Sequence, residues 1–263
     1  MSMTNLKDGL DRQNRKFEIP IRITLQINEY RVRGGHEVTY AKYRFIALIY
    51  GQQATCTGSL ISLKNILTSA HCICDPSHMN KVGFYHLYKK DEINTAVEIE
   101  NRLISPLWED QCEKMKINSD EELSNGYDVG LIKLKGYVSE VVPDYEIVGL
   151  TWEIPTVGAK FKLVGYGLWK TNSDDRGLRE GAGSVTNCPT LLYQDNICIG
   201  SDSIHVQQYT DSGDSGGPLL TMINQQIGVC SGLQEYNLAN GEKGVVMMFS
   251  AVGRNKGFIF LNM

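Results

Sequence analysis

Short apolar runs limit what this chain can fold into. Phe45–Tyr50, Ser59–Ile61, Asn65–Thr68, Val129–Leu134, Lys160–Val164 and Gln226–Val229 are each a few residues long and rich in Val, Ile and aromatic residues. Gly, Asn, Asp and Pro punctuate them, which is the pattern of strands closed by turns. Long helical periodicity is hard to find. The pattern predicts an all-β protein of short antiparallel strands, arranged as a sandwich or barrel. Residues 109–126 are highly charged and read as a surface loop or short helix, and residues 170–184 read as a second exposed loop. No internal repeat with shared motifs is visible. The chain has 263 residues, 42% of them hydrophobic. That suffices for one large domain or two small ones with a core that needs no staples.

Charge and hydropathy exclude several partners. The net charge is −4, so no basic field favours nucleic acid or an anionic membrane. No apolar run approaches the roughly 18 residues that span a bilayer. The first thirty or so residues are polar and lack the apolar centre of a secretory signal, so export is not visible in this stretch. Residues 1–31 read as a tail, an added strand (Ile19 to Ile27 alternates apolar and polar) or a segment removed by cleavage. The seven cysteines are Cys56, Cys72, Cys74, Cys112, Cys188, Cys198 and Cys230. An odd count leaves at least one unpaired or bonded between chains, and sequence alone does not assign the bridges. A fully reduced cytosolic set stays open at this point. No Asn-x-Ser/Thr acceptor occurs.

The chemistry converges on one serine. Ser215 lies in Gly213-Asp214-Ser215-Gly216-Gly217-Pro218. A serine hydroxyl is a weak nucleophile at neutral pH and needs a base, with a third group to orient that base. His71 follows the strand-like Leu67-Thr68-Ser69-Ala70 and precedes Cys72, whereas His36, His78, His86 and His205 have no such setting. Asp128 opens Tyr127-Asp128-Val129-Gly130-Leu131-Ile132-Lys133-Leu134, where a carboxylate can be buried and still bonded to a ring N–H. Each residue taken alone also fits a plainer role: a core histidine, a turn cap, a turn serine. His71, Cys72, Cys74 and His78 also admit a metal-cluster reading.

Four stretches in order carry a family resemblance: Cys56-Thr57-Gly58-Ser59-Leu60-Ile61 followed by Thr68-Ser69-Ala70-His71-Cys72; Tyr127 to Leu134; Val164-Gly165-Tyr166-Gly167; and Gly213 to Leu219. Through them the chain resembles the chymotrypsin/trypsin-like serine proteases from about Val32 to its end. The resemblance implies two six-stranded antiparallel Greek-key β-barrels, an active site between them, a boundary near residues 145–155 and a short C-terminal helix. It implies Ser215 as nucleophile, His71 as general base and then acid, Asp128 as the group that orients His71, and the Gly213 and Ser215 amides as the oxyanion hole. It implies bridges Cys56–Cys72 and Cys188–Cys198. Cys74 with Cys112 is a guess by elimination that leaves Cys230 odd.

The same resemblance implies a zymogen. Cleavage after Arg31 would make Val32 the new terminus, and its ammonium would swing in to pair with Asp214. Arg33 departs from the apolar residue usual there. The specificity pocket departs further. Tyr209 stands at the pocket base, neither acidic nor small, which argues against Lys/Arg specificity. Asp211 replaces a bridged cysteine. Cys230 is read as replacing the serine that supports Asp128, and Ser231 as replacing a Trp platform, with Gly232 and Gly244 keeping the pocket open. The expected function is a serine endopeptidase acting on protein or peptide substrates. It would work as a monomer without cofactor or metal, subject to an activating protease and protein inhibitors, and be secreted, with no nucleic-acid or membrane partner. The alternative is a catalytically weak or inactive homologue that binds or regulates. No calcium loop is evident, since Lys89-Lys90 sits beside Asp91-Glu92.

Overall fold

The apolar runs become strands because each is short, branched and bounded by turn residues, and because pairing in closed barrels leaves no open edge. The computed structural model describes Val32 and residues 35–263, except 52–54, 77–78, 85–95, 118–124, 168–176, 191–192, 202–207 and 238–242. Arg31, the 1–31 segment and the Lys89–Glu92 stretch lie outside the described residues.

After a two-residue strand β1 (His36–Glu37), six strands form the first barrel: β2 (Ile46–Tyr50), β3 (Thr55–Leu60), β4 (Asn65–Thr68), β5 (Lys81–Gly83), β6 (Ala96–Ile104) and β7 (Gly130–Leu134). They close antiparallel in the order β2-β3-β4-β7-β6-β5. Ile46, Ile49, Leu60, Ile66, Leu67, Leu131 and Leu134 are fully buried in its core. The second barrel comprises β8 (Lys160–Gly165), β9 (Arg179–Thr186), β10 (Asn196–Ser201), β11 (Pro218–Leu220), β12 (Gln226–Asn237) and β13 (Lys243–Ala251). Its order is β9-β10-β13-β12-β11-β8; pairing of β8 with β9 closes it, and β1 adds to the outer side of β9. Phe161, Leu163, Ile197, Ile199, Leu219, Met247 and Phe249 fill it. Helix α1 (Glu109–Ile117) follows β6, and α2 (Lys256–Asn262) ends the chain.

Residues 177–184 correct the sequence reading of an exposed loop over 170–184, whose first part, 170–176, lies outside the described residues. Leu178 is buried, and Arg179 to Ser184 belong to β9 rather than to an exposed loop. Glycines disguise the strand: a Cβ on Gly181 would lie 2.5 Å from Val32 Cγ1, and one on Gly183 would lie 2.5 Å from Ile199 Cγ2. The neighbours' side chains take the space that β9's own would occupy. Glu180 on this strand is anchored by Lys42 and by the Tyr43 hydroxyl at 2.6 Å.

Three hydrogen bonds from β3 join the barrels. Ser59 Oγ of β3 donates to Gln226 Oε1 of β12 at 2.5 Å, and Gln226 is fully buried. Thr57 of β3 reaches the loop before β11: its N–H donates to the Ser215 carbonyl at 2.8 Å and its Oγ1 donates to the Gly213 carbonyl at 2.8 Å. The disulfides are Cys56–Cys72, Cys74–Cys112 and Cys188–Cys198, and Cys230 is a buried free thiol. Cys72 and Cys74 are thus bonded to other cysteines, so neither offers the thiolate that a metal cluster with His71 would need.

Candidate active site

His71 sits in the turn after β4, and Asp128 sits just before β7. β4 and β7 pair with Thr68 opposite Gly130, which brings the two residues together. His71 N–H donates to Asp128 Oδ1 at 2.9 Å, and Nδ1 lies 2.7 Å from Asp128 Oδ2. Asp128 is fully buried, while the His71 side chain keeps 17% of its surface exposed. Burial disfavours the imidazolium, but the Asp128 charge and hydrogen bond outweigh it, so the His71 pKa is raised above 6.5. Oδ2 also accepts from Ser231 Oγ at 2.6 Å. Asp128 therefore has three donors, and its acceptor geometry fixes the tautomer with Nδ1 protonated and Nε2 free to act as a base.

Ser215 enters from the second barrel. Gly213 has φ +99° and Gly216 has φ +79°, the left-handed region that glycine tolerates without strain. A Cβ on Gly216 would also lie 2.0 Å from Thr68 Oγ1. Glycine here lets the serine loop lie directly against the strand that carries His71. His71, Ser212, Gly213 and Ser215 line one cavity of about 280 Å³, with Cys56, Cys72, Asp75 and Met79 among its walls. Such an arrangement can deprotonate a serine hydroxyl beside a bound carbonyl and hand the proton on.

Asp214, next in the loop, points away into the body and is buried. Its Oδ1 accepts from Gly167 N–H at 2.8 Å and its Oδ2 from Asp211 N–H at 2.9 Å. Cβ atoms on Gly165 and Gly167 would lie 2.2 and 2.4 Å from its carboxylate oxygens, which explains both glycines of the Val164–Gly167 motif. Burial raises the Asp214 pKa to about 7, partly offset by the Asp211, Gly167 and Val32 amides. Val32 is already in this pocket in the uncut chain, 1% exposed and donating its backbone N–H to Asp214. Val32 has φ +28°, a conformation strained for a β-branched residue.

The structure corrects two pocket assignments. Ser231, not Cys230, supports Asp128. The β12–β13 register runs from Cys230 opposite Phe249 to Gly232 opposite Met248, so Ser231 is the extra residue of a bulge. Bulges re-aim side chains beside functional sites, and a slip of one residue exchanges the two faces of a strand. Cys230 faces the other way, into the space lined by Val32, Thr210 and Asp214, and accepts a hydrogen bond from Thr210. Burial pushes its thiol pKa strongly upward. Leu233, two residues after Ser231, is 39% exposed and lies opposite Met247. Gly244 lies opposite Tyr236, four residues from the partner of Gly232, about 13 Å along β13. A Cβ there would meet the Tyr236 ring at 2.6 Å. Tyr209 packs against the cluster inside the second barrel.

Ser231→Ala leaves Asp128 one donor short in a dry setting. Losing a hydrogen bond to a buried charge costs about 1.5–3 kcal/mol. The expected result is a lower melting temperature and roughly a tenfold lower kcat, whereas Cys230→Ala leaves kcat within about twofold. Parallel melting and steady-state kinetics decide, and the opposite ranking would return the supporting role to Cys230.

Comparison with known proteins agrees with this geometry. Residues 32–252 match the family model for trypsin. The chain is 25% identical over 248 residues to a cercarial protease of Schistosoma mansoni, covering 90% of this chain and 92% of that one. It is 25% identical over 192 residues to chymotrypsin-like elastase family member 1 of Macaca fascicularis, covering 66% of this chain and 65% of that one. Among solved structures, human heparin-binding protein superposes with a TM-score of 0.63 at 19% identity, over 88% of this chain and 97% of that one. Neuropsin, a serine protease of mouse brain, gives a TM-score of 0.65 at 18% identity, over 87% and 98%.

Proposed function

This chain belongs to the trypsin family, and on that premise we propose that it is a serine endopeptidase that cleaves peptide bonds through an acyl-enzyme on Ser215. The observation that carries the reading is the His71–Asp128–Ser231 hydrogen-bond chain ending at a cavity that Ser215 and Gly213 share. Ser215 Oγ attacks the scissile carbonyl while His71 Nε2 takes its proton. His71, now charged beside Asp128, returns the proton to the leaving amine. The Gly213 and Ser215 amides receive the oxyanion. Water then repeats the sequence on the acyl-enzyme and releases the acid. Protein or peptide chains are the substrates, and three disulfides fit secretion into an oxidising compartment. A binding homologue without turnover is not favoured, because His71, Asp128, Ser215 and Gly213 are all retained.

Activation by cleavage after Arg31 belongs to the same proposal. Backbone strain of the kind found at Val32 costs about 1–3 kcal/mol. Cutting the preceding peptide bond removes the carbonyl that defines this φ and so releases that strain. The pocket reading is non-tryptic: Tyr209 offers no carboxylate to a Lys or Arg side chain. A peptide-library profile dominated by Lys or Arg before the scissile bond would overturn this part.

The test of the activity is covalent. The chain cut after Arg31 should be labelled at Ser215 by a fluorophosphonate, and Ser215→Ala should not be labelled. An absence of label on the cut parent chain would falsify the endopeptidase reading.

A further inference from the structure

Trp108 is fully buried, yet its indole N–H has no hydrogen-bond partner among the described residues. A buried indole N–H usually finds an acceptor, and leaving one unpaired is costly. The packing around Trp108 must offset that cost. Trp108 forms a small apolar cluster with Ala70, Cys74 and Cys112, separate from both barrel cores, with Ile104 and Met115 against it.

The cluster is tied to the segments that hold His71 and Asp128. Ala70 immediately precedes His71. The Cys74–Cys112 bond, with Cα atoms 5.4 Å apart, ties the turn after His71 to α1. Cys56–Cys72 anchors the same turn separately to β3. On the Asp128 side, the backbone N–H of Trp108 donates to the Ser105 carbonyl at 2.8 Å, and the backbone N–H of Ser105 donates to the Val129 carbonyl at 3.0 Å. A Cβ on Gly130 would lie 2.6 Å from Ile73 Cδ1 and 3.3 Å from Ala70 Cα, so the two segments press directly together here. Trp108, Cys74 and Cys112 are absent from the wall of the cavity that Ser215 lines. They brace the pair from behind and touch no reacting atom.

We infer that Trp108 and the Cys74–Cys112 bond form a positioning clamp that holds the His71 imidazole on Asp128 and thereby sets the turnover rate. The kinetic part rests on the endopeptidase reading; the positioning part rests on the packing alone. The turn bearing His71 contains no regular secondary structure, so side-chain anchors must define where the ring sits. A displacement of about 1 Å at such a group can lower a rate roughly 100-fold.

The test uses the full chain cut after Arg31 and compares Cys74→Ser/Cys112→Ser and Trp108→Phe with the parent. The double variant should lower kcat by roughly 10- to 100-fold. KM should stay within about twofold, because the cluster does not face substrate. The imidazole NMR titration of His71 should move to lower pH, since the Asp128 charge that raises it is held less closely. Trp108→Phe should shift both readouts the same way by less, and it carries the test if the double variant does not fold. Parent kcat and parent titration with only a lowered melting temperature would reduce the clamp to a structural staple. If the cut parent hydrolyses no peptide, the endopeptidase reading fails, while the imidazole titration still decides the clamp.

Discussion

Ser215→Ala is expected to lower kcat by roughly 10⁶-fold, His71→Ala by a similar factor, and the double variant scarcely further. The hydroxyl and the imidazole act in a single step, so removing either removes the step. What remains, roughly 10³- to 10⁴-fold over the uncatalysed rate, comes from substrate positioning and the Gly213 and Ser215 amides. Pre-steady-state ester hydrolysis measures the effect as a lost burst, and additive losses in the double variant would mean that the two residues act separately. The acid limb of kcat/KM carries a second signature. His71 must be neutral to accept the Ser215 proton, and its pKa is raised above 6.5. Activity should therefore fall as pH drops through a value above the ordinary histidine range. Asp128→Asn removes the charge that raises it, so the limb should move to lower pH while kcat falls about 10⁴-fold.

Cutting the chain after Arg31 is expected to reverse the pH dependence of stability contributed by Asp214. In the uncut chain this carboxyl holds its proton to about pH 7, against 3.8 when free. The folded pKa is the higher one, so its contribution is fully present below about pH 4 and is lost as pH rises to about 7. At about 1.4 kcal/mol per pH unit, the loss is on the order of 4 kcal/mol. Asp214→Asn does not titrate, so its stability relative to the uncut parent should grow across this window. Cleavage turns the Val32 amide nitrogen, already donating to Asp214, into an ammonium. The pair then favours the ionised carboxylate, and its contribution is lost at low pH as Asp214 protonates and at high pH as the ammonium loses its proton. At pH 7 the cut parent should melt roughly 8–16 °C above the uncut one, with the difference in Asp214→Asn reduced to what release of the Val32 strain supplies. Urea unfolding of the four proteins from pH 4 to 9 checks this. Equal pH profiles for cut and uncut chains would show that the new terminus does not reach Asp214.

The barrel strands were legible where a short apolar run was bounded by turn residues. Asn65–Thr68 coincides with β4, and Lys160–Val164 falls within β8. β9 was not legible, because its glycines leave the packing volume to Val32 and Ile199, residues distant in the chain. His71, Asp128 and Ser215 could be picked out because each sits in a local pattern, strand end or glycine turn, that its neighbours specify. Ser231 could not, because its role depends on a bulge, and parity along a strand holds only until an extra residue enters. The Cys74–Cys112 bond was a guess by elimination, and the brace behind His71 was invisible, since contacts between Ala70 and Trp108 leave no local mark. Short-range order thus follows from residue spacing and turn chemistry, which act over a few residues. The partner of Asp128, the seat of Val32 and the support of His71 are set by packing between distant segments, and only the closed barrels bring those segments together.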